Sequence, residues 1–289
     1  MKKIISAIIS CALMFSLPTT ALATEYGPTD SHTENYAPSV VSYNEFDLVK
    51  ELAQKTPYEL ECEGYTLNEI MDIKNYQENF ADHIDMLNTL PDEVLTLHGY
   101  TQSQINMIRN FDGSEAEMQL LAASVKINAV TAYFTFDGNY TTGRLAYTWE
   151  WIGVPNFKMR DIIAFSWNTW IVTENMSEIS YYHINTGDAY KSLPGEYHDD
   201  GNKTEGACHK FAVLLDDYYY AKRGVGRFEV QSDVHAMKDF YCYIEYGHSQ
   251  IVMSWPTFSV GSSGTDASIS FSFGVVTAGS QYVEYIFEA

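Results

Sequence analysis

The chain has 289 residues, with 38 Asp and Glu against 17 Lys and Arg, which gives a formal net charge of −21. This excess of negative charge, without clustered lysines or arginines, argues against nucleic acid and anionic membrane surfaces as partners, because proteins bind both through cationic side chains. Hydrophobic residues make up 46% of the chain, which is enough for a sizeable folded core.

Residues 1–23 have the pattern of a secretory signal peptide. Lys2 and Lys3 precede an apolar run at 4–17, and small residues follow as far as Ala23. The pattern predicts cleavage after Ala23 and a mature chain that is secreted or associated with the cell surface. The apolar run is shorter than the roughly 20 residues of a transmembrane helix, and Cys11 within it leaves a lipid anchor as the alternative. Residues 24–44 lack periodicity and are expected to form a flexible lead-in.

Residues 45–120 contain two similar segments, GYTLNEI at 64–70 and GYTQSQI at 99–105. Each glycine suits the left-handed end of one helix, and each threonine suits the N-cap of the next. Glu69 and Gln104 stand three residues after Thr66 and Thr101, as a capping box requires. We therefore predict two helical hairpins. Their surroundings are acidic, with 19 Asp and Glu against 4 Lys and Arg in residues 24–120, which indicates either a solvated exterior or a face for a basic partner.

After residue 120 the apolar period changes from helical spacing to strict alternation. Short alternating runs separated by Gly, Asn, Asp and Ser predict an all-β antiparallel sandwich over residues 121–289, with a barrel as the alternative. The predicted fold class is therefore α+β, with a small helical N-terminal region before the sandwich. Residues 186–205 are expected to form one long polar loop. Four tryptophans are expected to pack in the core: Trp149, Trp151, Trp167 and Trp255.

The mature chain contains three cysteines, at positions 62, 208 and 242. Cys208 and Cys242 both lie in the strand-rich half, so they are the pair that we consider for a disulfide in an exported protein. Three reduced and buried thiols are the alternative, because the sequence does not give the geometry that a bridge requires.

Cys208 lies in the segment GACHKFAVLL at 206–215. This segment resembles the nucleophile region of transglutaminase-like cysteine enzymes. The resemblance implies a helix that begins at the cysteine and lowers the pKa of its thiol, together with a downstream histidine and an acid, for which His235 and Asp239 are the nearby choices. It extends over residues 206–239 only, and positions 209, 211, 213 and 215 alternate like a strand. A structural Cys208 is the competing interpretation.

Aromatic residues supply the other candidate site. Four of them break the strand alternation and are predicted to be exposed, where they can stack on sugar rings or anchor a protein partner: Trp170, Tyr218, Tyr219 and Tyr220. We assign no metal site and no cofactor, because the histidines show no zinc-binding spacing and the loop at 198–202 lacks the spacing of an EF-hand.

Together these features favour an exported bacterial protein without enzymatic activity that binds a glycan or a cell-envelope or host protein. A secreted cysteine-dependent acyl-transfer enzyme, transglutaminase-like or protease-like, is the alternative, with Cys208 as nucleophile and His235 as base. The sequence leaves the oligomeric state open.

Overall fold

The computed structural model describes residues 40–286, apart from 64, 131–133, 137–138, 157–159, 168–169, 200–205, 217, 233–238, 250–257, 264–265 and 272–274. The predicted signal peptide, most of the lead-in, His235 and Trp255 therefore lie outside the described residues. Within them, the α+β fold class is confirmed: after one short strand the helices come together, and the other strands follow in antiparallel sheets. None of the described helices is long and apolar enough to cross a membrane.

The helical region begins at Glu45, directly after the first strand of the chain. Seven helices are described: α1 (Glu45–Gln54), α2 (Pro57–Cys62), α3 (Leu67–Lys74), α4 (Tyr76–Asn88), α5 (Asp92–His98), α6 (Gln102–Arg109) and α7 (Glu115–Leu121).

Both predicted capping boxes are confirmed. The Thr66 hydroxyl accepts from the Glu69 backbone N–H and Thr101 accepts from that of Gln104, while each side chain at the third position accepts from the backbone of its threonine. A third capping box, Thr56 with Glu59, opens α2. Gly99 ends α5 with a φ of 99°, in the left-handed conformation that glycine adopts without steric cost.

Fifteen strands are described: β1 (Val40–Asn44), β2 (Ser124–Val130), β3 (Phe134–Phe136), β4 (Thr141–Ile152), β5 (Arg160–Trp167), β6 (Trp170–His183), β7 (Ala189–Leu193), β8 (Glu196–His198), β9 (Gly206–Ala212), β10 (Leu214–Asp216), β11 (Tyr219–Ser232), β12 (Asp239–Ser249), β13 (Phe258–Ser263), β14 (Asp266–Phe271) and β15 (Val275–Ile286). Two of our expectations are corrected. The end of the predicted lead-in forms β1, which pairs with β2, and the predicted polar loop at 186–205 contains β7 and β8.

The strands form two main antiparallel sheets, which favours the sandwich over the barrel. The first sheet has the order β1-β2-β4-β11-β6-β7, with β3 beside β4 and β10 beside β11, and the second has the order β15-β12-β5-β9-β8. A separate hairpin joins β13 to β14. Aromatic side chains from both sheets fill the space between them: the rings of Trp149 and Phe211 stack at 4.6 Å, and Phe165 and Phe228 meet edge to face at 4.9 Å. Trp149, Trp151 and Trp167 are fully buried, as predicted.

Most of the helical region shares its core with the sheets. Phe46, Phe80 and Ile105 belong to the same apolar cluster as the inward residues of the sandwich. Polar contacts add to this packing, since Val154 N donates to the Tyr100 hydroxyl at 3.2 Å and the Nε2 of His83 donates to Val154 O at 2.8 Å. A smaller, separate cluster lies under the first hairpin, which is formed by α2 and α3. This cluster consists of Leu52, Leu60, Tyr65, Ile70 and Ile73.

Candidate functional site

Four aromatic rings meet at one edge of the first sheet, and we call His183, Tyr190, Tyr218 and Tyr219 the tyrosine cluster. Tyr190 comes from the edge strand β7, His183 ends β6 and Tyr219 begins β11. Tyr190 and Tyr218 are 51% and 54% exposed, whereas most of the sandwich aromatic residues whose side chains the structure describes are buried. Large aromatic side chains that stay exposed on a folded surface are common at binding sites.

The rings of the tyrosine cluster support one another. Tyr190 stacks on Tyr219 with ring centroids 4.0 Å apart and an interplanar angle of 20°. His183 meets Tyr219 edge to face at 4.9 Å and lies nearly parallel to Tyr218 at 6.0 Å. Each exposed tyrosine is therefore backed by another ring, which holds it in place without covering all of its surface.

Hydrogen bonds donated by backbone N–H groups fix the turn that carries the cluster. Ile184 N donates to Tyr218 O at 2.7 Å, and Asn185 N donates to the Nδ1 of His183 at 3.0 Å. Gly187 has a φ of 72°, and a Cβ atom at this position would lie only 2.8 Å from that of Leu97 in α5. The glycine thus lets the turn between β6 and β7 approach the helical region closely. Asn185 and Asp188 are exposed on this turn and carry an amide and a carboxylate group.

The four predicted aromatic residues do not all join this surface. Tyr218 and Tyr219 belong to the cluster, but Tyr220 is fully buried, which corrects our prediction. Its hydroxyl lies 2.9 Å from the Nδ1 of His98, so a helix from an earlier part of the chain covers it. Trp170 begins β6 and its backbone pairs with Ser232, while its side chain lies outside the described part of the chain.

Sequence reasoning did not find Tyr190 or His183. Tyr190 lies in the segment that we expected to be a loop, and all residues of β7 except the last are exposed. A strand exposed on both faces shows no apolar alternation, so it gives no signal of its pairing.

The structure does not give Cys208 the environment of a nucleophile. The cysteine lies within β9, where the transglutaminase-like resemblance implies the start of a helix, and its side chain is fully buried. Burial raises the pKa of the Cys208 thiol well above its ordinary value. Asp239 begins β12, and His235 lies outside the described residues, so the predicted triad is placed only in part.

Cys208 and Cys242 do not form the disulfide that we considered, because both thiols are free and buried. Cys208 pairs with Ala164 on one side of β5, and Cys242 pairs with Trp167 on the other side. The intervening strand separates the two cysteines by about two strand spacings, roughly 10 Å, which is beyond the reach of a disulfide. Cys62 is exposed, so the expectation of three buried thiols also fails at this residue.

A polar groove of 410 Å³ lies between α1, α6, α7 and the strand ends and is the other candidate site. Its amide groups already make hydrogen bonds within the fold. Asn44 donates to Gln119 O at 2.9 Å, Gln119 donates to Asp47 at 2.6 Å and Gln104 donates to Leu120 O at 2.9 Å. These amides join the helices to one another, which makes the groove a weaker ligand site than the tyrosine cluster.

Comparisons with known proteins assign no family to the chain. No protein-family model matches it, and no curated protein matches it. Among solved structures, it is similar to one that is described as the complete structure of manganese lipoxygenase of Gaeumannomyces graminis and a partial structure of zonadhesin of Komagataella pastoris. The sequence identity is 7% and the TM-score is 0.24, and the match covers 57% of this chain and 65% of that chain.

Two streptococcal structures are also similar. The C-terminal domain of the Streptococcus pyogenes antigen I/II-family protein AspA has 9% identity and a TM-score of 0.27, over 55% of this chain and 53% of that one. The KRT10-binding region domain of the pneumococcal serine-rich repeat protein PsrP has 14% identity and a TM-score of 0.20, over 43% of this chain and 76% of that one. The chain spans less than two thirds of the lipoxygenase–zonadhesin and AspA chains. Likenesses at this level assign no function.

Proposed function

We propose that this chain is an exported binding protein without enzymatic activity, and that the tyrosine cluster binds a neutral glycan. The observation that carries the proposal is the pair of half-exposed tyrosines, Tyr190 and Tyr218, each backed by another ring. Such an arrangement presents flat aromatic surface at a small entropic cost, because the rings are held before the ligand arrives.

The groups around the rings fit the chemistry of a sugar. Aromatic faces pack against the C–H groups of a pyranose ring, while amide and carboxylate groups hydrogen-bond to its hydroxyls. Asn185 and Asp188 on the adjoining turn supply groups of this kind. The net charge of −21 disfavours an anionic glycan, because long-range repulsion opposes its approach.

The chemistry of Cys208 supports a binding role over acyl transfer. A nucleophilic cysteine must reach its substrate and ionise near neutral pH. Cys208 is buried, and its pKa is raised by that burial. A thiol-reactive probe applied to the native protein at neutral pH is expected to label Cys62, which is exposed, and to leave Cys208 unlabelled.

A glycan array probed with the mature chain tests the proposal. We expect binding to a set of neutral glycans and a loss of about tenfold or more in affinity for Tyr190→Ala and Tyr218→Ala, because each removes an exposed stacking surface. Tyr58→Ala is the matched control, since Tyr58 is an exposed tyrosine of the helical region outside the cluster, and it is expected to bind as the wild type does.

Two results would contradict the proposal. The first is no binding by the wild-type chain to any neutral glycan on the array. The second is binding that Tyr190→Ala and Tyr218→Ala leave unchanged, which would locate the glycan site elsewhere.

A further inference from the structure

The first helical hairpin exposes a group of large apolar side chains. Leu67 and Met71 stand one turn apart on α3, so they share a face of the helix, and they are 74% and 55% exposed. Tyr58 on the preceding helix, α2, is 73% exposed. We call these three side chains the hairpin face. Exposed apolar residues found singly are ordinary, but a group on adjoining helices is typical of an interaction surface.

The second repeat shows that the hairpin motif does not require this apolar face. Gln102 and Asn106 occupy the positions of Leu67 and Met71, 35 residues later, and both are exposed. The Gln102 side-chain amide donates to the Asn106 oxygen at 3.2 Å. Glu93 stands where the first repeat has Tyr58. Both repeats use the same capping box and bury the same isoleucine pair, so the hairpin motif forms without apolar side chains at these three outer positions.

The first hairpin packs at the periphery of the fold, apart from the main core, as an element that binds a partner can do. Its buried residues Leu60, Ile70 and Ile73 belong to the small separate cluster, whereas Ile105 and Ile108 of the second repeat lie in the main core. Substitutions on the outer face of the first hairpin are therefore remote from the core of the sandwich.

The charge around the hairpin face selects the kind of partner. Residues 45–88 contain 11 Asp and Glu and only three lysines. All three lysines are engaged: Lys50 pairs with Glu115, Lys55 pairs with Glu63, and the Lys74 ammonium donates to the backbone carbonyls of Ala53 and Lys55. The segment that carries the face thus has a formal net charge of −8 (3 − 11), which disfavours both a second copy of this chain and an anionic membrane as partners.

We propose that the hairpin face docks a cationic amphipathic helix of a partner protein. The apolar stripe of such a helix covers Leu67, Met71 and Tyr58, while its Lys and Arg residues meet the surrounding carboxylates. This interaction surface is separate from the tyrosine cluster and does not depend on glycan binding.

Fluorescence anisotropy with the full mature chain tests this proposal. The probe is a labelled peptide of about 18 residues, roughly five helical turns, with leucines at helical spacing and lysines elsewhere. A peptide with glutamate in place of lysine is the charge control. The test variant carries Leu67→Gln and Met71→Asn, which are the residues of the second repeat and so are compatible with the hairpin. Leu120→Gln, at another exposed leucine, is the matched control.

We expect the lysine peptide to bind the wild type and Leu120→Gln equally, with affinity that falls as salt concentration rises, and to bind the double variant about tenfold or more weakly. The glutamate peptide is expected not to bind. Equal binding of the lysine peptide to the double variant would overturn the proposal, as would its failure to bind the wild type. Binding of the wild type to phosphatidylcholine vesicles that is lost in the double variant would also overturn it, because the face would then be a membrane contact.

Discussion

At the scale of single residues, two buried histidines join parts of the fold and remain neutral. His98 Nε2 donates to Ile184 O at 2.6 Å, which leaves its Nδ1 to accept from the Tyr220 hydroxyl at 2.9 Å. His209 stacks on Phe228 between the two sheets, with its Nδ1 2.7 Å from the Tyr147 hydroxyl. Burial lowers the pKa of His98 to about 4 and that of His209 to about 3.

These lowered pKa values predict a chain that loses stability in acid. In the unfolded chain both histidines bind protons below their ordinary pKa of about 6.5, whereas in the folded chain they stay neutral until about pH 4 or below. Their contribution is therefore complete above pH 6.5 and declines as pH falls toward 4. Urea unfolding between pH 7 and pH 5 is expected to show this decline, with each histidine contributing a slope of about 1.4 kcal/mol per pH unit once its unfolded form is protonated.

The variant His98→Gln separates this effect from general acid sensitivity. Because the glutamine does not titrate, we expect the slope to fall by about 1.4 kcal/mol per pH unit near pH 5. A slope that His98→Gln does not change would refute the assignment of His98 as a neutral group in the folded chain.

Buried aromatic residues show what apolar alternation predicts and what it does not. Trp149, Trp151 and Trp167 follow a regular period and are buried as expected. Tyr220 is in phase with the buried positions of β11, but Lys222, Gly224 and Gly226 at the next buried positions carry no apolar signal. It is covered by His98, which lies 122 residues earlier in the chain. Contacts over such a distance in sequence leave no local pattern, so its burial was not predictable from its neighbours.

At the scale of elements, local signals predicted the helical hairpins well. The capping boxes at Thr66 and Thr101 depend only on residues three positions apart, and both form as expected. The edge strand β7 was not predicted, because its exposed residues carry no periodicity. Because β7 was not predicted, its residue Tyr190 was not recognised as part of the candidate site.

The two repeats are expected to respond differently to loss of their caps. Replacing an N-cap threonine by alanine costs about 1 kcal/mol. Thr101→Ala is expected to lower the free energy of global unfolding, because α6 lies in the main core. Thr66→Ala is expected to act mainly on local opening of α3, whose isoleucines lie in the separate small cluster. Hydrogen exchange of the α3 and α6 amides measures the difference, with Thr66→Ser and Thr101→Ser as controls that keep each cap.

Equal protection of α3 and α6 in the wild type, together with equal effects of both alanine variants on global unfolding, would contradict this division into a main core and a peripheral hairpin.

At the scale of the whole molecule, alternation predicted buried faces but did not determine how the strands pair. The sandwich and the barrel place the same residues inside, so the choice between them depends on the strand order of the two sheets. The position of the tyrosine cluster follows from this order, because β6, β7 and β11 become neighbours only in the assembled sheet.

Export of the chain is a prediction at the scale of the whole molecule. Expression of the full chain in a bacterium is expected to give a mature protein that begins at Thr24 and is found outside the cytoplasm. N-terminal sequencing and cell fractionation check this result. Full-length chain retained in the cytoplasm would contradict it, and an acylated chain that begins at Cys11 would indicate the lipid anchor instead.

The central claim is that the exposed rings at the edge of the first sheet contact a sugar. Aromatic NMR spectra of the mature chain with ¹³C-labelled tyrosine, recorded during titration with the glycan that gives the strongest array signal, test it most directly. We predict that the ring signals of Tyr190 and Tyr218 shift with a common saturation curve, while those of Tyr58 stay in place. Saturable binding that leaves the signals of Tyr190 and Tyr218 unmoved would contradict the claim.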